Sequence, residues 1–452
     1  MSAPEPIASP QGRWRSLGAG AGALIGGRLV SAACGLAQVP IALAYLRPEG
    51  FGVWMALMGL LWSLGILDCG LGFALQNRVA GLLASGKQAE SAALARRAIL
   101  ILVTAGGALM LIGAPVVIWG RWADWLGVTD TLLRGQIRAA VAVVLVATAA
   151  GLPLSLAPRL AAAVQQTWIT GLWTAASSVT GLGAVMLAAH LGAPLAGFMI
   201  AGCVLPLGPH VLTWLQLHLR LAWLKRHREI RPDVRGLWQE SGLFLMPQLG
   251  AAFIGTFVPT LIAFFAGAAA VAPYSVLQRL FGLALQIHSL LLLPVWPAYT
   301  EAFARHDMPF VRQAFRLSCW ATLFCFALPA IVLVPLARPI LHLWLGTNAP
   351  AVGTALLWSI AGWHVLQFGG QVIAVLLNAT GRLHVLAYTN WAGIAVALAL
   401  GAVWAPRFGA AGVVAGLAVP YLLLNLPVTA WQAWRILRGR SGAEPAPAFS
   451  QS

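Results

Sequence analysis

Charge is what this sequence has least of. Of 452 residues, 9% are Asp, Glu, Lys or Arg, against about a quarter in an ordinary soluble domain. A water-soluble globule needs a polar exterior, and so few charges cannot cover one over this length, which excludes a soluble enzyme. Acids are scarcer still, 12 against 28 basic residues, so there is little material for a carboxylate-built catalytic or cation-binding site. The cysteines (Cys34, Cys69, Cys203, Cys319, Cys325) are odd in number, include no CxxC and all fall inside apolar runs. They read as small core residues rather than a disulfide framework or metal site. A removable leader is not expected either. The apolar run after Arg13 and Arg15 is interrupted by Arg28 and continues past Cys34 to about Leu46, as an uncleaved first span would.

What the sequence does have is apolar length: 60% of its residues are hydrophobic and its mean hydropathy is +0.82. Apolar runs near 20 residues can each cross about 30 Å of hydrocarbon as helices. They predict an all-α polytopic membrane protein with about 12 spans, at 18–46, 51–77, 98–119, 139–157, 168–190, 195–217, 239–267, 272–299, 315–336, 353–378, 385–404 and 412–434. An even count places both termini on one side. Loops on that side hold most of the Arg and Lys, among them Arg78, Lys87, Arg96, Arg97, Arg159, Lys225, Arg226 and Arg435, whereas the other side has few beyond Arg47, Arg121, Arg134, Arg138, Arg338 and Arg407. By the positive-inside rule both termini are expected to be cytoplasmic, in a cell inner membrane. The +16 net charge is thereby read as topology, and nucleic acid is not an expected partner.

The longest polar stretch between spans, with LKRHREIRPDVR at its centre, divides the spans six and six. The expected organisation is a tail at 1–17, an N-lobe at 18–217, a basic cytoplasmic linker at 218–238, a C-lobe at 239–434 and a cytoplasmic tail at 435–452. Sliding the second half on the first at 219 residues places Val258-Pro259 on Val39-Pro40 and Arg316 on Arg97. This is weak similarity that fits a duplication, and two such lobes would form a cleft of the kind in which transporters bind substrate.

An ionisable group at bilayer depth costs about 2.5–3.5 kcal/mol on insertion scales, so each needs a reason. Three stand out: Arg28, Asp68 and Arg279. At 1.5 Å per residue, Arg28 lies about 15 Å into the first span. Polar stripes at helical spacing accompany them: Arg28, Ser31, Gly35 and Gln38; Gly65, Asp68, Gly72 and Gln76; Ser275, Arg279, Gly282, Gln286 and Ser289; and His364, Gln367, Gln371 and Asn378. Such stripes face a packed helix seam or a watered cavity. On the first reading the glycines permit close packing and Arg28 pairs with Asp68; on the second Asp68 couples an ion or gates. Two arginines without a carboxylate each would suit a phosphate-bearing substrate, although Arg279 could also snorkel to the outer surface. Gln38, Gln76, Asn77, Gln248, Gln286, Gln367 and Gln371 are the expected cavity-lining amides.

Enzymatic signatures fail. Gly81 to Lys87 matches a phosphate loop until Gln88 stands where Ser or Thr must hold magnesium, and it follows a span instead of a buried strand. No cofactor or metal is expected. A membrane polysaccharide polymerase would need acids or a large catalytic loop outside the membrane. The outer side offers only Glu49, Asp124 and Asp130.

The segment from Leu46 to Ala80 resembles the second-span signature of the polysaccharide (O-antigen type) flippases of the multidrug/oligosaccharidyl-lipid/polysaccharide exporter superfamily. Glu49-Gly50-Phe51-Gly52 with Trp54 stands at its entry, and Asp68-Cys69-Gly70-Leu71-Gly72 with Asn77 towards its end. The resemblance implies two six-helix lobes that flip a polyprenyl-pyrophosphate-linked oligosaccharide by alternating access for surface polysaccharide (lipopolysaccharide or exopolysaccharide) biosynthesis. It implies Arg28 and Arg279 at the pyrophosphate and Asp68 at a coupling ion, with membrane lipid and other assembly proteins as partners. A departure is that Ile287 stands where the 219-residue offset would repeat Asp68. A multidrug exporter or a lipid II type flippase would share the fold.

Overall fold

In the computed structural model of the chain, residues 10–164, 166–220, 235–242, 245, 257–292, 295–380 and 383–439 are described. They are helical, with no strand among them. Ten helical stretches are long and apolar enough to cross a membrane. The first, Gly22–Asp68, joins two expected spans at Arg47, whose backbone (φ 59, ψ 172) leaves the helical region. Expected span 239–267 is described over Val258–Ala266 and at its N-terminal edge. This is a multi-pass membrane protein. Large apolar side chains such as Leu111 (78% exposed) and Leu343 (89%) stand outward on the helices, where lipid instead of water covers them.

The chain forms two compact units. The first comprises Met1–Tyr45, Leu64–Trp122 and Thr131–Gln248, and the second Leu46–Ser63, Ala123–Asp130 and Leu249–Ser452. These limits differ from a simple cut at 218–238. Leu237 is fully buried in the first unit's core, with Leu75, Leu94 and Leu160, and Arg78 Nε donates to Glu240 at 2.8 Å. The second unit has its own core of Tyr299, Val311, Leu376, Leu377 and Ile436.

Residues of the resembling motif have structural duties in that second unit. Glu49 accepts from the backbone N–H and hydroxyl of Thr129, fastening the Ala123–Asp130 turn. Phe51 is fully buried, and a side chain on Gly52 would strike the carbonyl of Ala268.

Duplication is visible in the backbone. Left-handed residues close equivalent turns in the two halves: Arg47 and Gly267, Gly86 and His306, Gly127 and Gly346, Gly192 and Gly409. Their spacing stays near 220 residues, as two copies of one repeat would leave it. Three wide π turns, Ile200–Val204, Leu323–Ala327 and Tyr421–Asn425, each run directly into a Leu-Pro pair. Proline lacks the N–H for an i−4 bond and its ring crowds that carbonyl, so widening the preceding turn relieves both. The first and third of these turns occupy matching places in the two halves.

Packing in the second unit is tight where the Thr354–Ala379 helix meets Tyr421. A Cβ on Gly370 would fall on the Tyr421 hydroxyl, and the Tyr421 ring is already wedged against Trp363 at 5.4 Å. Gly370→Ala is therefore expected to destabilise the protein by about 1–3 kcal/mol, measured by thermal unfolding in detergent. Adding Tyr421→Phe, which removes the colliding oxygen, is expected to recover most of the loss.

Candidate functional site

In the first unit the site is built on a helix break. The Pro10–Leu64 helix tightens into a 3-10 turn, Gly65–Asp68, after which Cys69 (φ 51) and Gly70 (φ 78) turn left-handed and the Leu71–Ala84 helix begins. Asp68 Oδ1 accepts from the Gly70 N–H at 2.9 Å, so the carboxylate secures the break in the manner of an Asx turn. Asp68 is 7% exposed. Its other oxygen lies beside Gly72 with Arg159 next to it: a Cβ on Gly72 would stand 3.2 Å from Asp68 Oδ2 and 3.6 Å from Arg159 Nε. The guanidinium of Arg159 lies over the Phe73 ring, 3.6 Å from its centroid, and its charge acts on Asp68.

Arg159 belongs to the Leu156–Ala163 helix, at the end of the apolar stretch Thr131–Ala163. The basic neighbour of Asp68 is thus Arg159 and not Arg28. Arg28 is exposed and makes no ion pair among the described residues. Gln38 is half-buried against Gly181, Gln76 is half-buried and Asn77 is exposed.

In the second unit Arg279 is half-buried on the Val271–Leu292 helix and has no acidic partner among the described residues. One turn before it Ser275 is buried, with no partner for its hydroxyl among the described residues, while Gln286 is exposed. The stripe therefore runs from packed to open along one helix. Gln367 is half-buried. Gln371 does not face open space alone. Its Oε1 lies 2.8 Å from His288 Nδ1 and 3.2 Å from Ser289 Oγ, and His288 Nε2 lies 2.9 Å from Thr322 Oγ1. This buried knot joins three helices and was not anticipated from sequence. A histidine in an apolar run carries no spacing signal of its own. Gln248 lies outside the described residues.

No sequence-family model matches the chain, and no curated protein matches it. Solved structures do. An inward-facing multidrug resistance MATE family transporter of the MOP superfamily aligns with a TM-score of 0.77 at 13% identity, over 92% of this chain and 99% of that one. The lipid II flippase MurJ in an inward closed conformation aligns at 0.69 and 11% identity, over 90% and 86%. A MOP superfamily transporter from Pyrococcus furiosus, described as having a binding pocket of reversed polarity, aligns at 0.66 and 13%, over 94% and 96%. The chain has the fold that these solved structures share. That fold has about 12 transmembrane helices, in agreement with the spans expected from the apolar runs, and these structural neighbours are transporters and not enzymes.

Proposed function

We propose that the chain flips a polyprenyl-pyrophosphate-linked oligosaccharide across the cytoplasmic membrane by alternating access, supplying surface polysaccharide synthesis. The observation that carries this reading is the charge balance at bilayer depth. The buried carboxylate Asp68 already has Arg159 beside it, which leaves Arg28 and Arg279 with no acidic partner among the described residues. Unpaired guanidiniums attract an anion and repel a cation, and their planar forks match phosphate oxygens. Each arginine offers this within its own unit.

A second reading, a cation-coupled multidrug exporter, is favoured by the structural likeness to a multidrug MATE transporter; a lipid II type flippase is favoured by the likeness to MurJ. Reconstitution into liposomes separates them. The expected result is translocation of a fluorescent polyprenyl-pyrophosphate oligosaccharide with no accumulation of a cationic dye. Dye transport without translocation of the lipid-linked sugar would overturn the proposal, and a strict preference for a peptide-bearing lipid-linked precursor would move it to the lipid II class.

A further inference from the structure

The backbone repeat gives Asp68 a counterpart that the sequence offset passes over by one residue. On both sides of this region the left-handed residues recur 220 apart by their numbers, 47 with 267 and 86 with 306. In that register Asp68 corresponds to His288 and not to Ile287. Both side chains are buried, Asp68 at 7% and His288 at 2% exposure. Titratable groups are rare and costly at bilayer depth, and here one stands at the same count from the flanking turns in each half: an acid at the helix break of the first, and a base within the continuous Val271–Leu292 helix of the second.

The surroundings of His288 suit both of its charge states. Gln371 Oε1 is an acceptor, so Nδ1 carries a hydrogen whether the ring is neutral or charged. The partner of Nε2 is a hydroxyl, Thr322 Oγ1, which can donate to a neutral ring and accept from a charged one. The rings of Phe326 and Phe368 lie 4.8 and 5.2 Å away, within cation–π reach. The titratable and charged groups on the packed helices are few. The Thr354–Ala379 helix has His364; Met308–Thr322 has Arg312, Arg316 and Cys319, all exposed; and the π turn after it has Cys325, exposed. Val258–Ala266 has none. Val295–Ala304 has Tyr299 and Glu301, the latter exposed and paired with Arg305 at 2.7 Å. Arg279 is on the same helix as His288. Among these groups no carboxylate is paired with His288, so no paired acid offsets the charge that a proton adds there.

We infer that His288 is a proton-binding site of the second unit, the basic counterpart of Asp68. A proton from water binds the Nε2 lone pair, no protein bond breaks, and the Thr322 hydroxyl turns from donor to acceptor. His364 cannot serve in the same way. Its Nδ1 donates to the Ile360 carbonyl and its buried Nε2 has no hydrogen-bond partner among the described residues, so a second proton would be left unsatisfied. The inference rests on the transporter reading only for its consequence, a pH-dependent transport cycle.

The test is nitrogen NMR of the intact protein in lipid nanodiscs with labelled histidine, scanned over about pH 5–8, where an imidazole ordinarily titrates. The His288 signal is assigned by its loss in His288→Gln or, should that variant fold poorly, by its displacement in Thr322→Val. Conversion to imidazolium inside that range is expected, with the midpoint about one pH unit lower in Thr322→Val, because the charged form loses its acceptor. In His364→Gln the midpoint is expected to stay in place. A His288 ring that stays neutral down to the lower limit overturns the inference. A neutral ring together with intact flipping overturns this inference alone, whereas titration with no flipping of the lipid-linked sugar supports it and overturns the proposed function.

Discussion

Arg28→Ala and Arg279→Ala are each expected to abolish surface polysaccharide while the protein remains in the membrane. A charge-assisted hydrogen bond contributes about 1.5–3 kcal/mol, which is roughly a 10- to 100-fold loss of affinity for the anionic head. Neither guanidinium has an acidic partner among the described residues, so truncation leaves no orphaned carboxylate behind and folding is spared. Lysine at either position restores charge without the planar fork, and partial export is expected. The measurements are polysaccharide on gels of whole-cell extracts and protein content by immunoblot of membranes. Normal polysaccharide from both alanine variants would sink the anionic-substrate reading. Should cationic dye efflux rise in the same variants, the exporter reading would take its place.

The spans and their number could be read from composition because hydrocarbon imposes the same length on every helix. The break at Arg47 was legible as well, because Pro48 disfavours helical backbone in the residue before it and the expected spans part there. Repeat register was harder. Pairs such as Val39-Pro40 with Val258-Pro259 keep the 219-residue spacing, whereas the turns at Arg47 and Gly86 are set one residue further from their counterparts. Backbone geometry preserves what side-chain identity has lost.

Site residues divide along the same line. Arg28, Asp68 and Arg279 could be singled out because charge in an apolar run is costly wherever it points. Arg159 was hidden by its position near the end of an apolar run, where an arginine looks like the start of a loop. Its aromatic neighbour Phe73 lies more than 80 residues away in the chain, and only folding brings the two to 3.6 Å. The pairing of His288 with Gln371 and Thr322 is equally non-local. Gln371 was expected to line a cavity, and its carbonyl turns out to bridge helices.

Asp68 and Arg159 are two opposite charges that meet beside Gly72 in the first unit. Removing one member leaves the other buried without its counter-charge. A buried ion pair in direct contact loses about 3–5 kcal/mol when broken. These two share a neighbourhood at Gly72 with no direct ion pair, so about 1–3 kcal/mol is expected for Asp68→Ala or Arg159→Ala alone. Asp68→Ala carries the further loss of the carboxylate that accepts from Gly70. The informative variant is the double Asp68→Asn with Arg159→Met. It removes both charges, the asparagine oxygen still accepts from Gly70, and the methionine still packs on Phe73. Its stability, followed by thermal unfolding in detergent, is expected to lie within about 1 kcal/mol of the parent. Flipping then separates the two roles open to Asp68. If the carboxylate couples an ion, the stable double variant translocates no substrate; if the pair only secures the break before the Leu71–Ala84 helix, translocation survives. The first outcome is expected, because Asp68 sits at the repeat position where the second unit carries its own buried titratable group, and a purely structural brace has no need of charge in both halves.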